Sequence, residues 1–175
     1  MINSDRKIIL IIFFLSVFSF VCNANENQKN FIKIINDSRA GFSSSFNDLK
    51  VSKLLADRND LLCRSSSQIV SNWNGKIKEI KTNMEGKGIL SIIIDNGIFI
   101  QTWNNAFSDL FDNTLIEINS KVYAQLLELN KGDSIIFSGS FLENSSECFG
   151  TQNFTNKSKI IKPEFTFIFS NILKN

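Results

Sequence analysis

Apolar and polar positions alternate with a period of two over most of the second half of the chain, and with a helical period in two other places. From residue 68, "IVSNWNGKIKEI" sets Trp73, Gly75 and Ile77 against polar neighbours, and "GILSIII" and "IFIQTW" follow with Asp95, Asn96 and Gly97 between them. Such alternation predicts half-buried strands. An Asn-Gly pair tolerates the positive φ of a tight hairpin, so three antiparallel strands are expected. "EGKG" reads as a second hairpin turn. "SIIFSGSFL" and "EFTFIFSNI" predict two further strands. In the last, Phe165, Phe167 and Phe169 alternate with Thr166, Ile168 and Ser170, while Gly139 stands in mid-strand where a barrel must bend.

Helical spacing occurs first in "SFNDLKVSKLLADRNDLLCRSSS", where Leu49, Leu55 and Leu62, with Val51, Leu54 and Leu61, recur at near-helical intervals. Ser45 with Asp48 three residues on resembles a capping box, and the helix is expected to end near Cys63. Ahead of it, "NFIKIINDSRAG" reads as a short amphipathic stretch. The second helical stretch is "SKVYAQLLELNKGD": Ser120 can cap, Val122, Leu126 and Leu129 share a face, and Gly132 ends it. One helix between the third and fourth of five strands is the layout of the OB-fold, a partly open Greek-key barrel. The expected class is therefore mainly β with helices: an OB-fold-like five-stranded Greek-key barrel preceded by an N-terminal helix.

The start of the chain carries Arg6 and Lys7, the apolar run Ile8–Val21 and a small residue, Ala24. This order is that of a secretory signal, and the run is shorter than the roughly 20 residues of a membrane-spanning helix. Three segments follow: residues 1–24 as signal peptide, 25–67 as an N-terminal helical segment and 68–175 as the barrel domain. The mature chain is expected in the periplasm or secreted, without a transmembrane segment. An uncleaved anchor is one alternative. Lipid attachment at Cys22 is another, which the bulky Phe20 and Val21 fit badly. Processing would leave two cysteines, Cys63 and Cys148, and an even pair in an oxidising compartment predicts a disulfide.

Several pieces together resemble a family of small bacterial exported OB-like domains of unknown function: "NWNGKI", "GKGILSI", "TWNNAFSD", "TLI", "KGDSIIFSG" and "PEFTFIFSNI". The similarity covers about residues 60–172, with "TWNNAFSD" its most specific part. Members tend to carry a Cys before the first strand and another before the last, as Cys63 and Cys148 do here. The resemblance implies no catalytic residues.

Charge and composition narrow the chemistry. The net charge is +2, and loss of Arg6, Lys7 and Asp5 with the signal would leave +1, with lysines scattered among acids as in "KIKEIKTNMEGKG". Nucleic-acid binders usually show a clustered basic face, so a nucleic-acid partner is disfavoured. The chain has no His, which removes Ser-His and Cys-His nucleophile pairs and imidazole metal sites. Two cysteines are too few for a thiolate zinc site, and "EGKG" lacks the spacing of a phosphate-binding loop. No metal, cofactor or catalytic group is expected. Carboxylate pairs such as Asp109 with Asp112 remain, and that pair lacks a supporting base or metal set.

What remains is the polar run after the third strand. Trp103, Asn104, Asn105 and Asp109, with Ser108, Asn113 and Thr114, lie in the connection to the helix. Aromatic and amide groups together can hold a neutral polar ligand. They can equally hold a loop, with Asn and Asp bonding backbone while Trp103 and Phe107 plug the barrel end. The candidate ligand residues are Trp103, Asn104, Asn105 and Asp109. The expected function is a non-enzymatic binding or interaction module of the bacterial cell envelope, its partner an envelope protein, a peptide or a glycan. A nucleic-acid-binding OB domain is the alternative, which would need a basic groove and exposed aromatics.

Overall fold

The computed structural model describes residues 26–143 and 147–175. The expected signal segment and Cys22 lie outside the described residues. The described residues form five strands, β1 (Ile69–Thr82), β2 (Gly88–Asp95), β3 (Ile98–Gln101), β4 (Ser134–Phe141) and β5 (Glu164–Lys174). They close into a barrel in the order β1-β2-β3-β5-β4, with β4 paired back to β1. Neighbours run antiparallel except β3 and β5, which are parallel. This is the five-stranded Greek-key arrangement that the strand order predicted. The helices are α1 (residues 26–40), α2 (Asp48–Ser65), α3 (Lys121–Leu126) and α4 (Asn156–Ile161).

The barrel interior is filled by the inward members of each alternation, including Trp73, Ile92, Ile100, Phe137, Phe165 and Phe167. Two glycines make room where the interior is tightest. A Cβ on Gly139 would stand 2.1 Å from the Ile168 carbonyl oxygen, and one on Gly75 would stand 2.4 Å from Ile92 Cγ2. The strand register shifts at Ser138/Gly139, so the bend expected there is real. The hairpin at Asn96-Gly97 also forms, but only Gly97 takes a positive φ, of 71°. Asn83–Lys87 makes the other turn, with Gly86 at φ 81° and the Asn83 side chain accepting from Glu85 N and Lys87 N.

β1 pairs with β2 only from Lys76 to Thr82, which leaves its first half without a β2 neighbour. α1 fills that breach. The Gln28 side chain donates to Asn74 O at 2.6 Å and accepts from Asn74 N at 2.9 Å, so one amide stands in for the missing strand. Phe31 and Ile35 are fully buried, and Phe31 sits 5.2 Å, centroid to centroid, from each of Trp73, Phe141 and Phe165. The far end of α1 holds the β2–β3 turn: Asn36 donates to Asp95, and Arg39 donates to the carbonyls of Asn96 and Gly97. The expected short amphipathic stretch is thus a complete helix that belongs to the barrel core. At the opposite gap, Gln125 Oε1 accepts from Ile172 N, beyond the part of β5 that pairs with β3. Here α3 is shorter than its apolar face suggested, and Leu129 is buried in the turn that follows it.

α2 begins one residue after Asn47, whose side chain accepts from Lys50 N at 3.0 Å; the cap is Asn47 and not Ser45. Asn47 holds the extended φ/ψ required of a cap, and Asp48 becomes the first helical residue. The inward stripe of α2 is Val51, Leu55, Arg58 and Leu62. Against Val51 and Leu55 packs Ile160 of α4, a helix that the polar excursion after β4 did not announce. Thr155 and Ser158 form its capping box. Cys63 and Cys148 are disulfide-bonded, with Cα atoms 5.7 Å apart, which ties α2 to the segment between β4 and β5. Arg58, 2% exposed, donates to the Lys159 carbonyl, and Lys159 pairs with Glu147 at 2.6 Å. Burial pulls the Arg58 guanidinium down to about 10 while nearby Glu147 opposes it, so Arg58 stays charged at neutral pH.

Candidate functional site

β3 ends at Gln101, two residues before Trp103. Thr102 still continues the ladder: its N donates to Leu90 O, and its hydroxyl accepts from Leu90 N. The chain then leaves the barrel and returns at Ile116, which makes a bridge with Gly88 through bonds of 2.7 and 2.9 Å. Both ends of the loop are therefore fixed to β2. Gln152 adds a third tie, donating to Thr102 O at 2.9 Å.

Inside the loop the polar groups are spent on one another. Asp109 is buried and its carboxylate accepts three bonds, from Thr114 N at 2.6 Å, Thr114 Oγ1 at 2.8 Å and Leu115 N at 3.1 Å. Thr114 Oγ1 in turn accepts from Trp103 N, and the Trp103 indole donates to Asp112 Oδ2 at 2.7 Å. Asn105 Oδ1 accepts from Ser108 N, and its amide group donates to Asn104 Oδ1 and Ser108 Oγ. Asn113 takes the left-handed conformation, φ 51°, that lets the chain turn back. The four candidate residues thus lie in one hydrogen-bonded loop. Trp103 is half-buried: Ile98 and Ile100 take the inward places on β3 and Thr102 continues the ladder, so Trp103 falls on the same outer side as Phe99 and Gln101.

Phe107 does not plug the barrel end. It is 89% exposed, Leu110 is 63% exposed and Phe111 is 87% exposed. They stand at i, i+3 and i+4 in a run of turns, so three large apolar side chains of one short loop are exposed to water. The candidate residues predicted from the sequence do not include Leu110 and Phe111, which stand among polar neighbours. The available signal was their helical spacing with Phe107 between turn-forming Asn and Asp.

The loop has no cation. Residues 88–120 contain Asp95, Asp109, Asp112 and Glu117 but no Lys or Arg. Among the described residues no group of three or more His, Cys, Asp or Glu could hold a metal ion. On the outer face of β3, Phe99 lies under the Lys78 and Lys162 ammonium groups, at 4.1 and 5.0 Å from its centroid, and is only 5% exposed. Its ring offers no open surface for stacking a base. Elsewhere a cleft of about 260 Å³ is lined by Ile80, Gly88, Tyr123 and Leu126.

Removing the Asp109 carboxylate should show how the loop is held. Asp109→Ala leaves two backbone N–H groups and a hydroxyl without their acceptor, and is expected to cost about 2–3 kcal/mol. Asn105→Ala, which loses one backbone bond at an exposed site, is expected to cost about 1 kcal/mol or less. Thermal melts give the totals. Amide hydrogen exchange at Thr114 and Leu115 should rise in the Asp109 variant alone.

No family model, no curated protein and no solved structure matches this chain.

Proposed function

We propose that this protein is a non-enzymatic interaction module of the bacterial cell envelope, exported to the periplasm or beyond, and that it contacts an envelope protein or peptide through the loop after β3. The observation that carries this reading is the exposure of Phe107, Leu110 and Phe111 on a loop held rigid by Asp109 and Asn105. Holding apolar groups out in water contributes nothing to folding, and grouped exposed apolar residues mark contact sites. A pre-organised loop also loses little entropy when it binds. The polar groups of Trp103, Asn105 and Asp109 are already satisfied within the loop, which favours an apolar partner over a glycan.

Export is supported by the formed Cys63–Cys148 bridge, since such bridges persist in oxidising compartments. The order of charge, apolar run and small residue at the N-terminus supports it as well. Among the described residues no helix is long and apolar enough to cross a membrane. A nucleic-acid role has weaker support, because Phe99 is covered and the loop is acidic.

A photo-crosslinking residue placed at Phe107 in living cells tests the contact. One discrete adduct to an envelope protein is expected from that position. None is expected from Met84, which is equally exposed but stands alone in the β1–β2 turn. Equal labelling from both positions, or none from Phe107, would remove the loop as a contact surface.

A further inference from the structure

The turn that joins β2 to β3 carries one of the two Asn-Gly pairs of the chain, Asn96-Gly97; the other, Asn74-Gly75, lies within β1. An Asn-Gly pair can modify itself, because a glycine nitrogen with no Cβ beside it reaches the side-chain carbonyl carbon of the preceding Asn. Asn96 is exposed, and the side-chain hydrogen bonds at its turn run from Asn36 to Asp95 and from Arg39 to the carbonyls of Asn96 and Gly97. Among the described residues this leaves the Asn96 side chain and the Gly97 N–H unbonded.

We propose that Asn96 is a self-modification site, deamidating in the folded protein with Arg39 as the group that promotes the step. Gly97 N gives its proton to hydroxide, and its electron pair forms a bond to Asn96 Cγ. The Cγ–Nδ2 bond breaks, and the departing nitrogen takes a proton from water to leave as ammonia. Water then opens the succinimide ring at either carbonyl, giving an aspartyl or an isoaspartyl product. The sum is one amide and one water converted to one carboxyl group and ammonia. The anion formed when Gly97 loses its proton is shared between Gly97 N and Asn96 O, which belong to one peptide group. Arg39 Nη1 donates to that oxygen at 3.0 Å, and Nη2 reaches Gly97 O at 3.3 Å. A fixed cationic donor aimed at the atom where charge develops stabilises the anion more than the neutral amide. Asp95 opposes the anion, but its Oδ2 is held by Asn36 at 2.7 Å. The Lys162 side chain passes the same turn, with its ammonium group 3.9 Å from Glu164.

Asn74-Gly75 lacks this freedom. Asn74 pairs with Ile136 and Gly75 with Ile135 of β4, while Gln28 holds Asn74 N and O from the other side. Ring closure turns the Asn backbone away from the extended strand, which would break those bonds. At the turn the two products act differently on α1. The aspartyl product keeps the main chain and sets a carboxylate beside Arg39, a residue that none of the ion pairs among the described residues includes. The isoaspartyl product carries the chain through the side chain, one carbon longer, in a two-residue turn that Arg39 grips by its carbonyls. That product releases the end of α1 from the turn, so the barrel loosens with age at this corner.

The test is a time course of the purified, disulfide-bonded protein at neutral pH and physiological temperature, read by peptide mapping with mass spectrometry. Asn96 should convert, with the isoaspartyl product among the peptides, while Asn74 in the same digest stays intact. Arg39→Gln should slow the conversion by about tenfold, less than the hundredfold or more of a donor in a closed site, because this turn is open to water. Arg39→Lys keeps the cation and should stay within about threefold of the parent, so a loss of fold in the Gln variant does not decide the result. In guanidinium chloride the parent and both variants should convert at one rate, since Arg39 no longer sits on Asn96 O. Amide exchange at the end of α1 should rise in the isoaspartyl fraction. An Asn96 that converts no faster than Asn74 would overturn the proposal. So would a folded Arg39→Gln variant that converts as fast as the parent, or a difference between parent and variant that persists in guanidinium chloride.

Discussion

Replacing Phe31 by alanine is expected to destabilise the protein by about 3–5 kcal/mol, the cost of emptying a fully buried aromatic site. The ring touches Trp73, Phe141 and Phe165 at 5.2 Å and Phe149 at 5.6 Å, residues from β1, β4, β5 and the segment before α4. No neighbour can close the gap without leaving its own contact, so the cavity should persist. The effect should be larger than for an ordinary helix residue, because α1 also completes β1 through Gln28. Gln28→Ala, which strands the Asn74 N–H and carbonyl, is expected to cost about 1–3 kcal/mol. Denaturant titration gives both values, and amide exchange at Asn74 reports whether the breach has opened. If Phe31→Ala melts like the parent, α1 is a loose attachment and not part of the barrel.

Breaking the Cys63–Cys148 bridge is expected to cost about 2–4 kcal/mol, most simply seen as a drop in melting temperature on adding reductant. The bridge joins residues 85 apart in sequence, and chain-entropy reasoning puts its ceiling at roughly 4–5 kcal/mol. The observed loss should fall below that ceiling. Ile160 packed on Val51 and Leu55, and the Arg58 bond to the Lys159 carbonyl, hold the same segments together without it. A Cys63→Ser, Cys148→Ser double variant should match the reduced parent. If reductant leaves the melting curve unchanged, those contacts alone suffice.

The strands were legible because each turns one face to a single interior. Phe165, Phe167 and Phe169 face the core and their alternation reports it directly; Gly139 marks the bend because no side chain fits against Ile168 O. α1 was only half legible. Its Phe31 and Ile35 lie one helical turn apart, but the stretch is rich in Asn and Lys, and its burial depends on a breach in a barrel formed from residues far along the chain. α4 was hidden for the same reason: its cap is local, in Thr155 and Ser158, but the face that buries Ile160 exists only once α2 is in place.

The loop after β3 divides along the same line. Its residue types announced turns and a cluster of Asn, Asp and aromatic groups, and these do form a bonded unit around Asp109. Which side chains face water was not legible, since a short turn run has no period long enough to distinguish inside from outside. Trp103 and Phe107 both read as plugs for the barrel end; Ile98 and Ile100 hold the inward places on β3, which leaves Trp103 on the outer side half-buried, and Phe107 stands in water.

By itself, then, the sequence determined the strand count, the strand order and the cysteine pair, because local alternation and the small number of cysteines left few other solutions. Only the tertiary structure decided that α1 completes the barrel through Gln28, that Asn47 caps α2, and that Phe107, Leu110 and Phe111 stand in water. The physical reason is that periodicity encodes which residues share a face. What that face meets is set by elements remote in the chain, through packing and hydrogen bonds that no local pattern carries.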